Sequence, residues 1–234
     1  MTTQAVSITT GNPSMSKIFA DTSTDDVWSG NVLTDTISQQ SIGILQPNST
    51  LTFAQAEYES GCMAWRLQNA QSLLVTARGW GVVAGQNCFA SDQIPATRVS
   101  PNDILVAYPL PKAGPALTNS LAWVTTTKGV ELMKCLASSD ATFDNFTTAV
   151  NQQTLGDAFF NSQMRSISVQ CEDSATLDSI QIVNGEGGVV YTAQGNVRGV
   201  EPASRSNHYN LDLTGLNIPI GKGFKLQVKT VSGV

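Results

Sequence analysis

The chain has little charge. Asp, Glu, Lys and Arg make up only 13% of its 234 residues, against roughly a quarter in an average soluble domain. Its surface must be built mainly from neutral Ser, Thr, Asn and Gln, which are less costly to desolvate than ionised groups. The 13 lysines and arginines are scattered and the net charge is −5. Phosphate binding needs a clustered positive face, so nucleic acid is not an expected partner. No apolar run approaches the ~20 residues of a membrane-spanning helix, and no membrane is expected as a partner. Met1 to Lys17 lack a basic start followed by an apolar core, so no secretory signal is expected. The protein is read as made in a cytoplasm, staying there or leaving by lysis.

Chemistry-bearing residues are equally sparse. Histidine occurs once, at His208. A Ser-His-Asp triad would have to use it, with Asp212 as a neighbour, yet no nucleophile elbow is present. Cys62, Cys88, Cys135 and Cys171 form no Cys-x-x-Cys pair, which argues against zinc and for free, buried thiols. Glu57 and Glu59 share a strand face, and Asp140 with Asp144 and Glu172 with Asp173 are similar. Such neighbours repel and mark a solvated face more readily than the opposed carboxylates of a glycosidase. No calcium loop is present, and Asp25-Asp26 could contribute to a hard-cation site only as part of an oligomer. Gly185, Gly187 and Gly188 lie between two strands rather than before a helix, which is turn chemistry and not a phosphate cradle. No cofactor, metal or catalytic residue is assigned, and the chain is read as a non-enzyme.

What the sequence does contain is strand grammar. In Asn207–Val231, Tyr209, Leu211 and Leu213 alternate with polar residues, as do Leu216, Ile218 and Ile220, then Phe224, Leu226 and Val228. A period of two is the strand period, and Gly221-Lys222-Gly223 permits a tight turn, so a closing β-hairpin is expected. Leu211, Leu213, Ile218, Ile220, Phe224, Leu226 and Val228 should face a core, with Lys225, Gln227 and Lys229 outside. Asn184–Gly188 between Ser179–Val183 and Val189–Ala193 predicts a second hairpin. Leu121–Val124 and Val130–Leu136 predict a third, around Thr127-Lys128-Gly129. Leu73–Ala77 reads as a buried strand. Thr154–Gln163 is the best helix, with Thr154 as its cap and Asp157 at the third position.

The fold expected is all-β: a β-sandwich or jelly roll, or barrel-like, in two β-regions with one short helix. Pro109, Pro111, Gly114 and Pro115 make a stiff linker. The division is an extended N-terminal arm over residues 1–50, a first β-region over 51–112 and a C-terminal β-sandwich-like domain over 113–234. The arm carries apolar pairs, Ile18-Phe19, Val27-Trp28 and Val32-Leu33, spaced by polar residues. These six are the candidate interface, able to dock on neighbouring subunits. Trp65 and Trp123 are assigned to cores. Trp80, between two glycines, is the candidate exposed aromatic.

A low-charge, all-β chain without an active site resembles, in general character and through no specific motif, bacteriophage virion proteins, above all capsid decoration or cement proteins. That resemblance implies a structural role in a virion, with a homo-oligomer and the major capsid or another virion protein as partners. A tail-tube or tail-fibre component is the alternative within the same class. A carbohydrate-binding module using Trp80 is the rival from a different one.

Overall fold

A computed structural model describes residues 4–11, 15–21, 30–58, 62–82, 96–110, 113–114, 116–138, 140–172, 175–194 and 208–232. The fold is all-β: 66% is strand, beside two short helices. The chain divides into two compact units, Met1–Pro111 and Lys112–Val234, and the junction falls in the proline-rich stretch.

The first unit is built from β1 (Gln4–Gly11), β2 (Met15–Asp21), β3 (Asn31–Asp35), the one-turn helix α1 (Ile42–Leu45), β4 (Thr50–Tyr58), β5 (Cys62–Asn69), β6 (Val75–Val82), β7 (Thr97–Arg98) and β8 (Asp103–Leu110). The hydrogen-bonded order is β1-β2-β3-β8-β5-β6-β4, and β4 returns to β1, which closes a seven-stranded barrel. All ladders are antiparallel except β4 with β6, where Ala56 faces Gly81 and Glu57 faces Val82. Small barrels are filled by inward side chains. Here Trp65, Phe19, Leu33, Leu67 and Leu105 fill the interior beside Ala54, Ala56, Ala77 and Ala107.

The second unit contains β9 (Leu117–Thr126), β10 (Gly129–Ser138), β11 (Asp140–Asn145), β12 (Thr147–Thr148), α2 (Leu155–Ala158), β13 (Ser162–Cys171), β14 (Ala175–Val183), β15 (Val189–Gln194), β16 (His208–Asp212), β17 (Pro219–Ile220) and β18 (Lys225–Ser232). One sheet runs β12-β10-β9-β13-β16, with β17 continuing beside β13; the other runs β11-β18-β14-β15. Ala122, Val124, Met133, Ile167 and Val169 of the first share a core with Ile180, Ile182, Leu226 and Val228 of the second. This is a sandwich of two sheets packed face to face.

Three expectations are corrected. No free arm exists over the described part of residues 1–50. β1 pairs with β2 from Gln4↔Asp21 to Thr10↔Met15 and with β4 from Gln4↔Tyr58 to Gly11↔Thr50. Its backbone groups are used on both sides, so it is a central strand of its own barrel. The last stretch is not a hairpin. β17 pairs with β13 and β18 pairs with β11 and β14, so Gly221–Gly223 carries the chain from one sheet to the other. Gly223 has φ +74° there, a left-handed value that glycine adopts without penalty. Leu73 and Leu74 are exposed in a turn rather than buried in a strand.

The side-chain alternation of the last stretch holds in part: Leu211 and Phe224 are half-buried, and Leu216, in a one-turn 3-10 helix, is exposed. Leu213, Ile218, Ile220, Leu226 and Val228 are buried and Lys225 is exposed. Gln227 and Lys229 are half-buried because they join partners on the outer face. Gln181 Nε2 donates to Gln227 Oε1 at 2.6 Å and Gln227 Nε2 to Asn145 Oδ1 at 2.9 Å. Lys229 Nζ lies 2.7 Å from Asp178 and holds that carboxyl below its ordinary range. The hairpins β9–β10 and β14–β15 form as expected. The helix at Thr154 shrinks to one turn, with Thr154 Oγ1 accepting from the Asp157 N–H at 3.3 Å.

Candidate functional site

The titratable groups singled out in the sequence have structural work where they are described. Glu172 is buried and accepts from the N–H groups of Ala113 at 2.5 Å and Asn119 at 3.1 Å, tying the start of the second unit to the end of β13. Asp144 accepts from the Ser138 N–H at 2.7 Å. Asp212 accepts from the Thr214 N–H at 3.0 Å, which lowers its pKa. Asp35 accepts from Ser38 Oγ at 2.6 Å, from Ser38 N–H at 2.8 Å and from Lys17 at 3.2 Å; these bonds, Ser38 first, hold its pKa at about 2. The side chains of His208, Glu57, Cys62 and Asp140 lie outside the described part, as do Asp25, Asp26, Glu59, Cys88 and Asp173. Cys135 and Cys171 are free and buried. Burial raises both thiols; that of Cys171 reaches about 12, although Ser120 Oγ donates to its sulfur at 3.2 Å. Neither is a nucleophile at neutral pH. Among the described residues no group of three His, Cys, Asp or Glu could hold a metal ion, and no helix is long and apolar enough to cross a membrane.

Trp80 is not an exposed platform. It is 4% exposed and sits opposite Ala64 on β5. The glycines on either side serve the inward face. A Cβ on Gly79 would lie 2.7 Å from Trp65 Nε1, and one on Gly81 would lie 2.9 Å from the Ala56 backbone. Gly-Trp-Gly thus makes room for Trp65 and for the close β4–β6 approach.

The candidate interface residues are split by the strand period. Ile18 and Val32 face outward and are exposed, whereas Phe19 and Leu33 point into the barrel and are fully buried. Val27 and Trp28 lie outside the described residues.

A different apolar surface stands at one end of the barrel. β3 ends there at Asp35, β5 ends at Asn69, which faces Asp103, and β8 begins there. Helix α1 presses on the loop before β8: a Cβ on Gly43 would be 2.5 Å from the Pro101 carbonyl oxygen. That loop meets the β5–β6 turn, where the Ala70 N–H donates to the Asn102 carbonyl at 2.9 Å. Ile37, Ile44, Leu73 and Leu74 project from these turns into solvent, Ile37 at 88% exposure. The segments 36–49, 70–74 and 99–102 contain no charged residue. Leu73 has φ +58°, a strained value for a side-chain-bearing residue that costs about 1–3 kcal/mol. Asn69 holds the turn in place: its carbonyl accepts from the Leu73 N–H at 2.9 Å, and its Oδ1 accepts from the N–H groups of Gln71 and Ser72, both at 3.0 Å.

The sequence pattern missed this surface because a Leu-Leu pair before Val75 reads as the start of a buried strand. The Asn at position 69, an Asx-turn former, was the signal that the turn extends through Leu74. Compared with protein-family models, curated proteins and solved structures, the chain has no match.

Proposed function

We propose that the protein is a non-enzymatic structural component that works by protein–protein contact, in the manner of a phage capsid decoration or cement protein, with copies of itself and a capsid or other virion protein as partners. The observation that carries this reading is the group of exposed aliphatic side chains at the barrel end, bordered by Arg98, which donates to Asn48 at 3.0 Å, and by the Lys17–Asp35 pair. Large aliphatic side chains held in solvent on adjoining turns, one of them on a strained backbone, mark an interaction surface rather than a hydration surface. The low charge of the chain supports it, since neutral polar neighbours are less costly to bury at a contact. A tail component makes the same use of such a surface. The carbohydrate-binding reading has lost its aromatic platform, because Trp80 is buried.

The test is electron microscopy and protein analysis of particles carrying the full chain, beside a variant with Ile44→Ser, Leu73→Ser and Leu74→Ser. Wild-type chain on the particle, with the barrel end against a neighbour, and its loss in the variant is the expected result. A wild-type chain that stays free of particles, or a variant that still binds them, ends the proposal.

A further inference from the structure

We infer that Asn184 is a modification site: with water as its only co-reactant it converts through a cyclic imide to aspartate and isoaspartate, at a rate set by opening of the turn between β14 and β15. Asn184-Gly185 is the one Asn-Gly pair in the chain, and every other asparagine precedes a residue that carries a side chain. The pair itself supplies the chemistry. The Gly185 nitrogen bonds to Asn184 Cγ, the Cγ–Nδ2 bond breaks, and Nδ2 leaves as ammonia with the proton that the Gly185 amide gives up. Glycine suits the attacking position, because no Cβ obstructs the approach of its nitrogen. Water then opens the imide, at one carbonyl to aspartate and at the other to isoaspartate.

The folded turn holds this reaction back. Asn184 Oδ1 accepts from the Glu186 N–H at 3.0 Å and from the Gly188 N–H at 2.7 Å. The main chain closes round it: the Asn184 N–H donates to the Gly188 carbonyl at 2.8 Å, and the Gly187 N–H to the Asn184 carbonyl at 3.0 Å. Ring closure needs rotation about the Cα–Cβ and Cα–C bonds of Asn184, and these four hydrogen bonds restrain both. Imide formation therefore proceeds from the opened turn. Its rate is that of the unrestrained pair multiplied by the fraction of time the turn is open.

The turn is placed to open and to react. Gly185 to Gly188 are exposed, so water reaches the site, and the β14–β15 pairing stops at Val183↔Val189. A hairpin tip of this kind opens without the sheet behind it.

The two products differ in consequence. Aspartate at position 184 keeps the main chain as it is, and its carboxylate accepts from the Glu186 and Gly188 N–H groups in charge-assisted bonds, the stronger kind. Isoaspartate carries the main chain through the side-chain carbons and lengthens it by one carbon. The turn has little room for this. A Cβ on Gly185 would lie 2.8 Å from the Lys222 carbonyl oxygen, and one on Gly223 would lie 3.1 Å from the Gly185 Cα. The turn thus sits backbone to backbone on the passage from β17 to β18. Isoaspartate loosens that passage, whereas aspartate leaves it in place.

The experiment ages the full chain in mildly alkaline buffer, folded and in urea, beside Gly188→Pro and Gly188→Ala, and follows each asparagine by tandem mass spectrometry. The denatured wild type should convert at Asn184 ahead of every other asparagine. The folded wild type should convert there about tenfold more slowly, or more slowly still, because hydrogen bonds must open first. Gly188→Pro removes one of the two N–H donors and should bring the folded rate up toward the denatured one, with an unchanged near-ultraviolet circular dichroism spectrum. Gly188→Ala also places a Cβ 3.2 Å from Asn184 Nδ2 but keeps the N–H, and should stay slow. A denatured chain that converts first at another asparagine overturns the site. A folded chain that converts as fast as the denatured one overturns the gate. A Gly188→Pro rate equal to that of the wild type or of Gly188→Ala does the same; if Gly188→Pro fails to fold, the wild-type comparison still decides. In the aged protein, exchange of the Phe224 N–H, which donates to the Gly221 carbonyl at 3.3 Å, should quicken in the isoaspartate fraction and not in Asn184→Asp. Equal exchange in the two overturns the coupling to the passage.

Discussion

The two units solve one problem in opposite ways. A sheet must do something with the unpaired groups at its edges. The barrel removes them by returning β4 to β1; of its exposed aliphatics among the described residues, Ile18 and Val32 stand on strands and Ile37, Ile44, Leu73 and Leu74 at one end. The sandwich keeps its edges, and two of its exposed valines, Val189 and Val190, lie on the edge strand β15. Closure moves sticky surface from backbone to side chain. A barrel's contacts are therefore expected to be apolar and tolerant of register, whereas an open edge makes hydrogen-bonded contacts of fixed register.

The largest effects should come from the central aromatic of each unit. Trp65 is fully buried in the barrel and Phe146 in the sandwich. Truncating either to alanine should cost about 3–5 kcal/mol. If the units are separate cores, Trp65→Ala will speed hydrogen exchange in β1–β8 and leave β9–β18 protected, and Phe146→Ala will do the reverse. Loss of protection across the whole chain in either variant would show a single cooperative unit and break the comparison.

Glycine substitution should separate packing from backbone strain. Gly79→Ala puts a methyl group 2.7 Å from Trp65 Nε1, and overpacking of this kind costs about 1–3 kcal/mol. Gly223→Ala meets only the Gly185 Cα, at 3.1 Å, but must hold φ +74°; a left-handed alanine costs about 1–2 kcal/mol. Chemical denaturation should show a shifted midpoint for both. Only Gly79→Ala should change the near-ultraviolet signal of the tryptophans, and a change in both would mean that the turn reshapes the core.

The two units should also fail at opposite ends of the pH scale. In the barrel, the folded pKa of Asp35 is about 2, below its ordinary 3.8. Its stabilisation is present above the ordinary value and lost as pH falls from about 4 toward 2. In the sandwich, the folded pKa of Cys171 is about 12, above its ordinary 9.0, and Cys135 is raised as well. An unfolded chain releases those thiol protons first, so stability is complete below pH 9 and falls as pH rises toward 12. Exchange rates resolved by unit should rise first in β1–β8 in acid and first in β9–β18 in alkali. Asp35→Asn should flatten the acid limb, and Cys171→Ala the alkaline limb. Limbs unchanged by these variants would place the titration elsewhere.

What could be read from the sequence follows from range. Strand period is local, so the burial of Leu226 and Val228 and the hairpin at Asn184 were legible. Pairing partners are not local. The stretch through Gly221–Gly223 has hairpin spacing and hairpin glycines, yet its two arms belong to different sheets. β1 was hidden because its inward positions include Gln4 and Thr10, which break the apolar alternation. Both have polar partners far along the chain: Gln4 Oε1 accepts from Asn31 at 3.2 Å, and Thr10 donates to the buried Gln46 at 2.9 Å. Trp80 was misplaced because a glycine beside an aromatic reads as a turn, while here each glycine clears space for a residue on another strand. The apolar barrel end was invisible because the segments that carry Ile37, Ile44 and Leu73 are brought to one end only by the non-local pairing β3–β8–β5.

The smallest expected effect compares the two one-turn helices. α2 begins after Thr154, whose hydroxyl accepts from the Asp157 N–H at 3.3 Å and donates to the Asp157 carboxylate at 2.7 Å. α1 begins after Ser41, which makes no side-chain capping bond. A cap satisfies one of the N–H groups that a helix start leaves open, and its loss costs about 1 kcal/mol. Thr154→Ala should therefore lower stability by about that amount, and Thr154→Ser should keep most of it. Ser41→Ala should change almost nothing, because no bond is lost. The effect at Thr154 should also reach beyond its own turn. The next residue but one, Gly156, donates to the Phe224 carbonyl at 2.8 Å and packs against the Gly221 carbonyl oxygen, so α2 braces the passage between the two sheets. Hydrogen exchange at Gly156 and Phe224 should quicken in Thr154→Ala. If Ser41→Ala and Thr154→Ala cost the same, the caps are not what distinguishes the two helices, and the brace on the sheet crossing must come from Gly156 alone.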